Sequence, residues 1–321
     1  MSKFIQYTAL INRGIKNYIT KKPLCVSFET TYSCNAKCKH CHLGGMIKDE
    51  VRAAPEKYRE ICRQIKPVVA QVSGGEPLLR QDLEEVIRAI KNPNNVPLVV
   101  LTTNAALLNR EKYDKLVDAG VDEFSVSFDY PDERHDDFRG IPGLYNKIVN
   151  LLESVKDEKC KRITLACVIH TYNYKELMNI AEFAYKWGVK VSFSTYTWLR
   201  THKKDYLIPK KEIPELKEMI NKLLEFKKKY NTVFTSKYVF GKVVEFFENE
   251  SIPDCRTGEK FLIINPDGTL SPCGLIAGSF NTKEELVEGF LKTNTCTYCN
   301  TSIRANTEKP AFYLIRDNLN I

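Results

Sequence analysis

From Pro23 onward the chain alternates short apolar strands with amphipathic helices, and that alternation leaves few folds open. Strands read at Leu24–Glu29, Val68–Val72, Leu98–Thr102, Glu123–Phe128, Ile163–Ile169 and Val189–Thr195. Between and after them the helical period recurs at Glu56–Ile65, Leu83–Ile90, Glu111–Ala119, Tyr145–Val155, Tyr174–Trp187 and Ile213–Lys229. Strands apolar on both faces and separated by helices form a parallel sheet that helices cover. Six such units predict an α/β fold, a partial (β/α)6 TIM barrel, with its chemistry at the C-terminal ends of the strands. At 321 residues the chain has room for that barrel and a small appendage.

The residues at those strand ends are chemically loaded. After the first strand comes Ser33-Cys-Asn-Ala-Lys-Cys-Lys-His-Cys-His-Leu43, with Cys34, Cys38 and Cys41 spaced C-x3-C-x2-C. A tight loop brings three sulfurs onto one inorganic centre at little chain-entropy cost. A structural zinc or a fully tied iron–sulfur cluster takes four protein ligands, so three local thiolates leave one position for something else. Ser73-Gly74-Gly75-Glu76-Pro77 follows the second strand, where two glycines allow close backbone approach and Glu76 offers a carboxylate for an ammonium. Asn104 ends the third strand, Ser127 and Asp129 the fourth, His170 and Asn173 the fifth, and Tyr196, Trp198 and Arg200 the sixth.

The cysteine loop and the Gly-Gly-Glu-Pro stretch together resemble the radical SAM superfamily. The resemblance implies a 4Fe–4S cluster on Cys34, Cys38 and Cys41 whose unique iron chelates S-adenosylmethionine (SAM), with His40 at the aromatic position of the signature. It further implies that Gly74, Gly75 and Glu76 engage the methionyl amino group, and that Asn104, Ser127 and Asp129 contact the rest of SAM. Asp129 has a second reading, as the cap of the charged loop Tyr130–Arg139, itself read as a surface lid. The activity implied is reductive cleavage of SAM to a 5′-deoxyadenosyl radical that abstracts hydrogen from a substrate.

Past residue 231 a further helical pattern ends at Ile252-Pro253 and the composition changes. Cys255, Cys273, Cys296 and Cys299 give C-x17-C-x22-C-x2-C around a hairpin turning on Asp267-Gly268. This resembles a SPASM domain shortened to its Twitch form, implying a second, auxiliary 4Fe–4S cluster; a zinc ribbon would use the same four thiolates. The predicted division is 1–22 as an amphipathic helix, 23–230 as the barrel, and 231–321 as a linker helix with the auxiliary domain. The likeness in type is to an inosamine dehydrogenase and to sulfatase-maturing enzymes, and less to the molybdopterin-precursor cyclase, whose auxiliary cysteines are spaced differently. Cys25, Cys62, Cys160 and Cys167 remain, of which Cys25 and Cys167 lie on strands; Cys167 is the candidate hydrogen donor to a substrate radical.

Eleven cysteines in a Lys-rich chain whose N-terminus lacks the order of a secretory signal suggest a reducing, cytoplasmic setting and metal ligation in place of disulfides. No apolar run approaches the ~20 residues of a membrane span. The formal charge of +8 suits an anionic substrate or an acidic ferredoxin- or flavodoxin-like electron donor, and no nucleic-acid partner is expected. The substrate reading is a small metabolite, with net oxidation or rearrangement; a peptide-modifying maturase or epimerase is the alternative within the enzymes. An iron–sulfur electron-transfer protein and an RNA-modifying enzyme are the readings from other classes.

Overall fold

The computed structural model describes residues 3–92, 96–276 and 278–319. Met1 and Ser2, where the predicted 1–22 segment begins, lie outside the described residues, as do the side chains of Phe4 and Tyr7. The rest of that segment is α1, Lys3–Ile19. Asn17 ties it to the N-terminal ends of the first two strands by donating Nδ2–H to the carbonyls of Pro23 and Lys66, both at 2.9 Å. No described helix is long and apolar enough to cross a membrane.

Six strands then pair in parallel: β1 Cys25–Glu29, β2 Val69–Ser73, β3 Leu98–Thr103, β4 Glu123–Ser127, β5 Ile163–Ile169 and β6 Lys190–Thr195. The crossovers carry α2 Pro55–Ile65, α3 Leu83–Lys91, α4 Arg110–Ala119, α5 Arg134–Arg139, α6 Leu144–Ser154 and α7 Leu177–Lys186. Local chemistry sets the ends: Asn109 accepts the Lys112 N–H to start α4, and Gly120, at φ 122°, ends it in a conformation that side chains disfavour. Beyond β6 come α8 Ile213–Tyr230, α9 Lys237–Asn249, the hairpin strands β7 Phe261–Ile264 and β8 Leu270–Ser271, then α10 Lys283–Gly289, α11 Ser302–Thr307 and α12 Ala311–Leu319.

The hairpin stands where the sequence puts it, but it is not confined to the C-terminal segment. β7 pairs in parallel with β1, Cys25 opposite Phe261 and Phe28 opposite Ile264, and the sheet order is β6-β5-β4-β3-β2-β1-β7-β8. The β7 residues Phe-Leu-Ile-Ile are all buried, as a strand inside a covered sheet requires. Flat, the six strand spacings from β6 to β7 would set them about 29 Å apart. Yet α11, six residues and so about 9 Å long, packs against both. The sheet is therefore rolled into a partial barrel, and α11 fills its opening.

Alternation divides each strand between two environments. Val26 and Phe28, Ala70 and Val72, Val99 and Leu101, Phe124 and Val126, and Leu165 and Ile169 build the core between sheet and helices. The intervening residues are mostly polar: Ser27, Glu29, Gln71, Ser73, Thr102, Ser125, Ser127 and Ser194. Cys167 belongs to the first series and is 1% exposed. Its sulfur accepts from Asn173 Nδ2 at 3.5 Å. The predicted hydrogen donor thus faces away from the barrel interior, because one register step along β5 exchanges the two faces. Cys25 shares the series of Ser27 and Glu29 and is buried.

Candidate active site

The cysteine loop leaves β1 and closes on itself, Cys34 and Gly45 exchanging both backbone hydrogen bonds at 2.9 Å. Each of its three sulfurs meets a donor. Cys34 Sγ accepts the Ala36 N–H at 3.4 Å, Cys38 Sγ lies 3.9 Å from Arg139 Nη1, and Cys41 Sγ lies 4.0 Å from Arg200 Nη1. All eleven cysteines are free. Burial pushes the Cys34 thiol up to about 11 and also raises that of Cys38. A thiolate placed so needs positive charge beside it, which a metal centre supplies.

Gly74, Gly75 and Glu76 continue β2 along the start of that loop. Gly75 N donates to Thr31 O at 2.7 Å and Glu76 N to Ser33 O at 2.9 Å. A Cβ on Gly74 would stand 2.2 Å from Thr31 O, and one on Gly75 2.2 Å from Ser33 O. The glycines thus admit the chain's own backbone, which fixes the stretch leading into Cys34. Glu76 is 1% exposed, and its carboxylate accepts from Thr103 Oγ1 (2.7 Å), Leu78 N (3.1 Å) and Asn104 N (2.7 Å). Three internal donors therefore hold the carboxylate expected to face an ammonium, and it joins β2 to β3. Asn104 Nδ2 reaches Asn35 Oδ1 at 2.8 Å, drawing the end of β3 onto the cysteine loop.

At the end of β4 the structure separates Ser127 from Asp129. Ser127 is half-buried on the polar side of the strand. Asp129 is fully buried: Oδ1 accepts the Val168 N–H at 3.0 Å, and Oδ2 lies 2.7 Å from Arg139 Nε and 2.6 Å from Nη2. Both oxygens expected for a cofactor are used by the protein, and they aim Arg139 at Cys38. Nor is the 130–139 loop a solvated lid. Its α5 buries His135, Phe138 and Arg139, and the carbonyls of Phe138 and Arg139 accept from Lys39 N and Lys37 N. His40 stacks on Phe138 at 4.9 Å, and Phe138 on His170 at 4.7 Å. Arg139 carries no periodic or motif signal in the sequence; its role depends on the fold bringing residue 139 back to residue 38.

The four C-terminal cysteines, up to 44 positions apart by number, line one cavity of ≈150 Å³ together with Ser27, Glu29, Gln71, Ser73 and Arg200. Asn300 Nδ2 on Thr195 Oγ1 (3.0 Å) anchors the Cys296–Cys299 loop to β6, and Tyr32 OH on Asn265 Oδ1 (2.8 Å) anchors the hairpin to the loop after β1. Arg304, also invisible as a motif, is 1% exposed. Its guanidinium donates to Cys299 O (2.9 Å), Ile252 O (2.9 Å) and Pro253 O (2.7 Å), pairs with Glu308 (2.9 Å), and lies 3.9 Å from Cys299 Sγ. Burial raises the Cys255 thiol to about 11 and raises those of Cys273 and Cys299. Among the described residues no three His, Cys, Asp or Glu side chains converge on the point a single ion would occupy.

The chain is similar to known proteins in sequence and in fold. The Radical SAM superfamily profile matches residues 28–184. A probable GTP 3′,8-cyclase of Methanococcus aeolicus is 31% identical over 285 residues, covering 82% of this chain and 87% of the relative. An AdoMet-dependent heme synthase of Methanosarcina barkeri is 35% identical over 147 residues, only 43% of this chain and 40% of that protein. Streptococcus suis SuiB bound to S-adenosylmethionine superposes with a TM-score of 0.64 at 17% identity, over 92% of this chain and 68% of SuiB. A cyclase thus matches along most of the chain, against the sequence expectation that a cyclase is the poorer likeness.

Proposed function

The chain belongs to the radical SAM superfamily, and from that premise we propose an enzyme with two iron–sulfur centres acting on a small metabolite. Membership implies one 4Fe–4S cluster and SAM, and Cys34, Cys38 and Cys41 are the residues to hold that cluster. When bound, cluster and SAM supply a reductively generated 5′-deoxyadenosyl radical for hydrogen abstraction. The chain's own part is to fix the cysteine loop against the 74–76 shelf, to place cationic donors at Cys38 and Cys41, and to keep water from the barrel interior. A reduced ferredoxin- or flavodoxin-like protein in the cytoplasm is the electron donor this reading calls for.

The observation that carries the second centre is the single cavity shared by Cys255, Cys273, Cys296, Cys299 and the interior-facing residues of β1 and β2. Four thiols around one space, that of Cys299 buried and the other three half-buried, are the donor set of a cube whose corners each take one thiolate, and the family context favours that cube over a lone tetrahedral zinc. A Twitch-like role for this segment follows, with the auxiliary cluster beside the substrate and able to take an electron from it, giving a net oxidation or rearrangement. The breadth of the match to proteins named as cyclases of GTP favours a small substrate over a peptide, although SuiB has been solved with its precursor peptide SuiA.

Anaerobic reconstitution tests the reading. About eight irons per chain are expected, four per cluster. Joint replacement of Cys34, Cys38 and Cys41 by alanine removes half of them and abolishes 5′-deoxyadenosine formation. Zinc in the C-terminal cysteines, or deoxyadenosine from the triple variant, rejects it.

A further inference from the structure

Arg139, Arg200 and Arg304 each bring a guanidinium nitrogen within 4.0 Å of a cysteine sulfur, and two of them have a carboxylate in direct contact. Arg139 has Asp129 at 2.6 Å and Arg304 has Glu308 at 2.9 Å. Arg200 makes no ion pair with a carboxylate among the described residues, although it is only partly exposed. One of its guanidinium nitrogens, Nη1, lies 4.0 Å from Cys41 Sγ. The other, Nη2, stands 3.1 Å from where a Cβ on Gly274 would be, next to Cys273, and Arg200 lines the cavity of the four C-terminal cysteines. The buried Glu29 carboxylate stands near that nitrogen without touching it: its Oε1 takes the Ser27 hydroxyl at 3.2 Å and lies 3.9 Å from the same Gly274 point, and burial raises its pKa against the opposing pull of Arg200.

We propose that Arg200 is an electrostatic element common to both cysteine sites, a guanidinium with no carboxylate in contact that holds Cys41 at one end and faces the C-terminal quartet with the other. This rests on the two-centre reading above. Its place in the chain explains how one side chain reaches both: the turn Trp198–Arg200 follows β6, the strand to which Asn300 fastens the Cys296–Cys299 loop. A centre gains one negative charge each time it is reduced. A fixed cation close by, inside a poorly screened interior, favours that reduced state. Arg139 and Arg304 each have a carboxylate in direct contact and stand at one cysteine site, whereas Arg200 has none in contact and stands at both. Arg200 is thus a positioning and tuning residue, with no bond made or broken at it.

The test is a dithionite titration followed by electron paramagnetic resonance on anaerobically reconstituted protein. Wild type is compared with Arg200→Gln, Arg200→Lys and, as an exposed charge control, Lys203→Gln. With iron content unchanged, both midpoint potentials are expected to fall in Arg200→Gln, to stay nearer wild type in Arg200→Lys, and not to move in Lys203→Gln. A fall at one centre only, no fall at either, or an equal fall in Lys203→Gln overturns the proposal. So does loss of iron from Arg200→Gln, which makes the residue a scaffold. A wild-type count of about four irons rejects the two-centre reading itself, before any variant is compared.

Discussion

Arg139 and Cys38 are 101 residues apart in sequence, yet Nη1 of the arginine lies 3.9 Å from the cysteine sulfur, held there by the buried Asp129 carboxylate. The pair with Asp129 is excluded from water, so removing one member strands the charge of the other. Asp129→Ala is expected to cost about 3–5 kcal/mol. Asp129→Leu combined with Arg139→Met costs less than that single change, since no charge is left unpaired. Anaerobic urea unfolding followed by tryptophan fluorescence measures both; a double variant weaker than Asp129→Ala rules this account out.

Much of this protein is legible in its sequence. The six strands, the helices between them, the cysteine triplet and the hairpin all declare themselves through local periodicity and turn chemistry, and each lies within a few residues of its predicted position. What the sequence hides is non-local. Nothing in Phe261–Ile264 says that it pairs with β1, because a four-residue apolar run fits an isolated hairpin equally well. Asp129 reads as a cofactor contact because it follows a strand; only the return of α5 to the cysteine loop reassigns it to Arg139. Cys167 misleads because the period of two fixes that it alternates without fixing which face is which. Gly74 and Gly75 are flagged correctly as sites of close approach, but the chain they admit is residues 31–33.

That last point gives a sharp expectation for Gly75→Ala. Its new Cβ would lie 2.2 Å from Ser33 O and 2.7 Å from Ser33 C, both backbone, so the strand leading into Cys34 must move. Iron bound at the N-terminal triplet should fall by most of its amount, about four per chain, while the C-terminal share is retained. Gly14→Ala in α1, where nothing lies within 4 Å, should bind like wild type and gain up to ~1 kcal/mol of helix stability. Iron analysis on both variants decides it; a Gly75→Ala protein with its full complement contradicts the packing described.

Arg304 offers the converse separation. Four of its contacts join the turn after α9, Ile252 and Pro253, to Cys299 and Glu308, so it sets the distance between the first and last cysteines of the quartet. Arg304→Met keeps much of the side-chain volume but abandons three carbonyls and the Glu308 carboxylate in a largely buried place. The expected result is loss of about half the iron, from the C-terminal set alone, with deoxyadenosine formation persisting at the N-terminal centre. If iron is lost equally from both sets, Arg304 supports the whole fold and not the quartet.

The buried imidazoles make stability depend on pH in a definite direction. His135 and His170 are both held neutral: burial, aided by the nearby Arg139 guanidinium, lowers each to about 3. The Nε2 atom of each ring finds no hydrogen-bond partner among the described residues, so a proton added there gains nothing. Because the folded value lies below the ~6.5 of an unfolded histidine, the stability each ring contributes is complete above that pH. It is lost as the pH falls from 6.5 towards 3, at up to about 1.4 kcal/mol per pH unit for each ring. His170→Phe keeps the stack on Phe138 and gives up only the Tyr172 N–H accepted by Nδ1 at 3.1 Å. Between pH 7.5 and 5.5 its urea midpoint should therefore drop less steeply than that of wild type, and the difference should vanish above pH 7. Parallel curves across the whole range would mean that His170 already titrates normally in the fold.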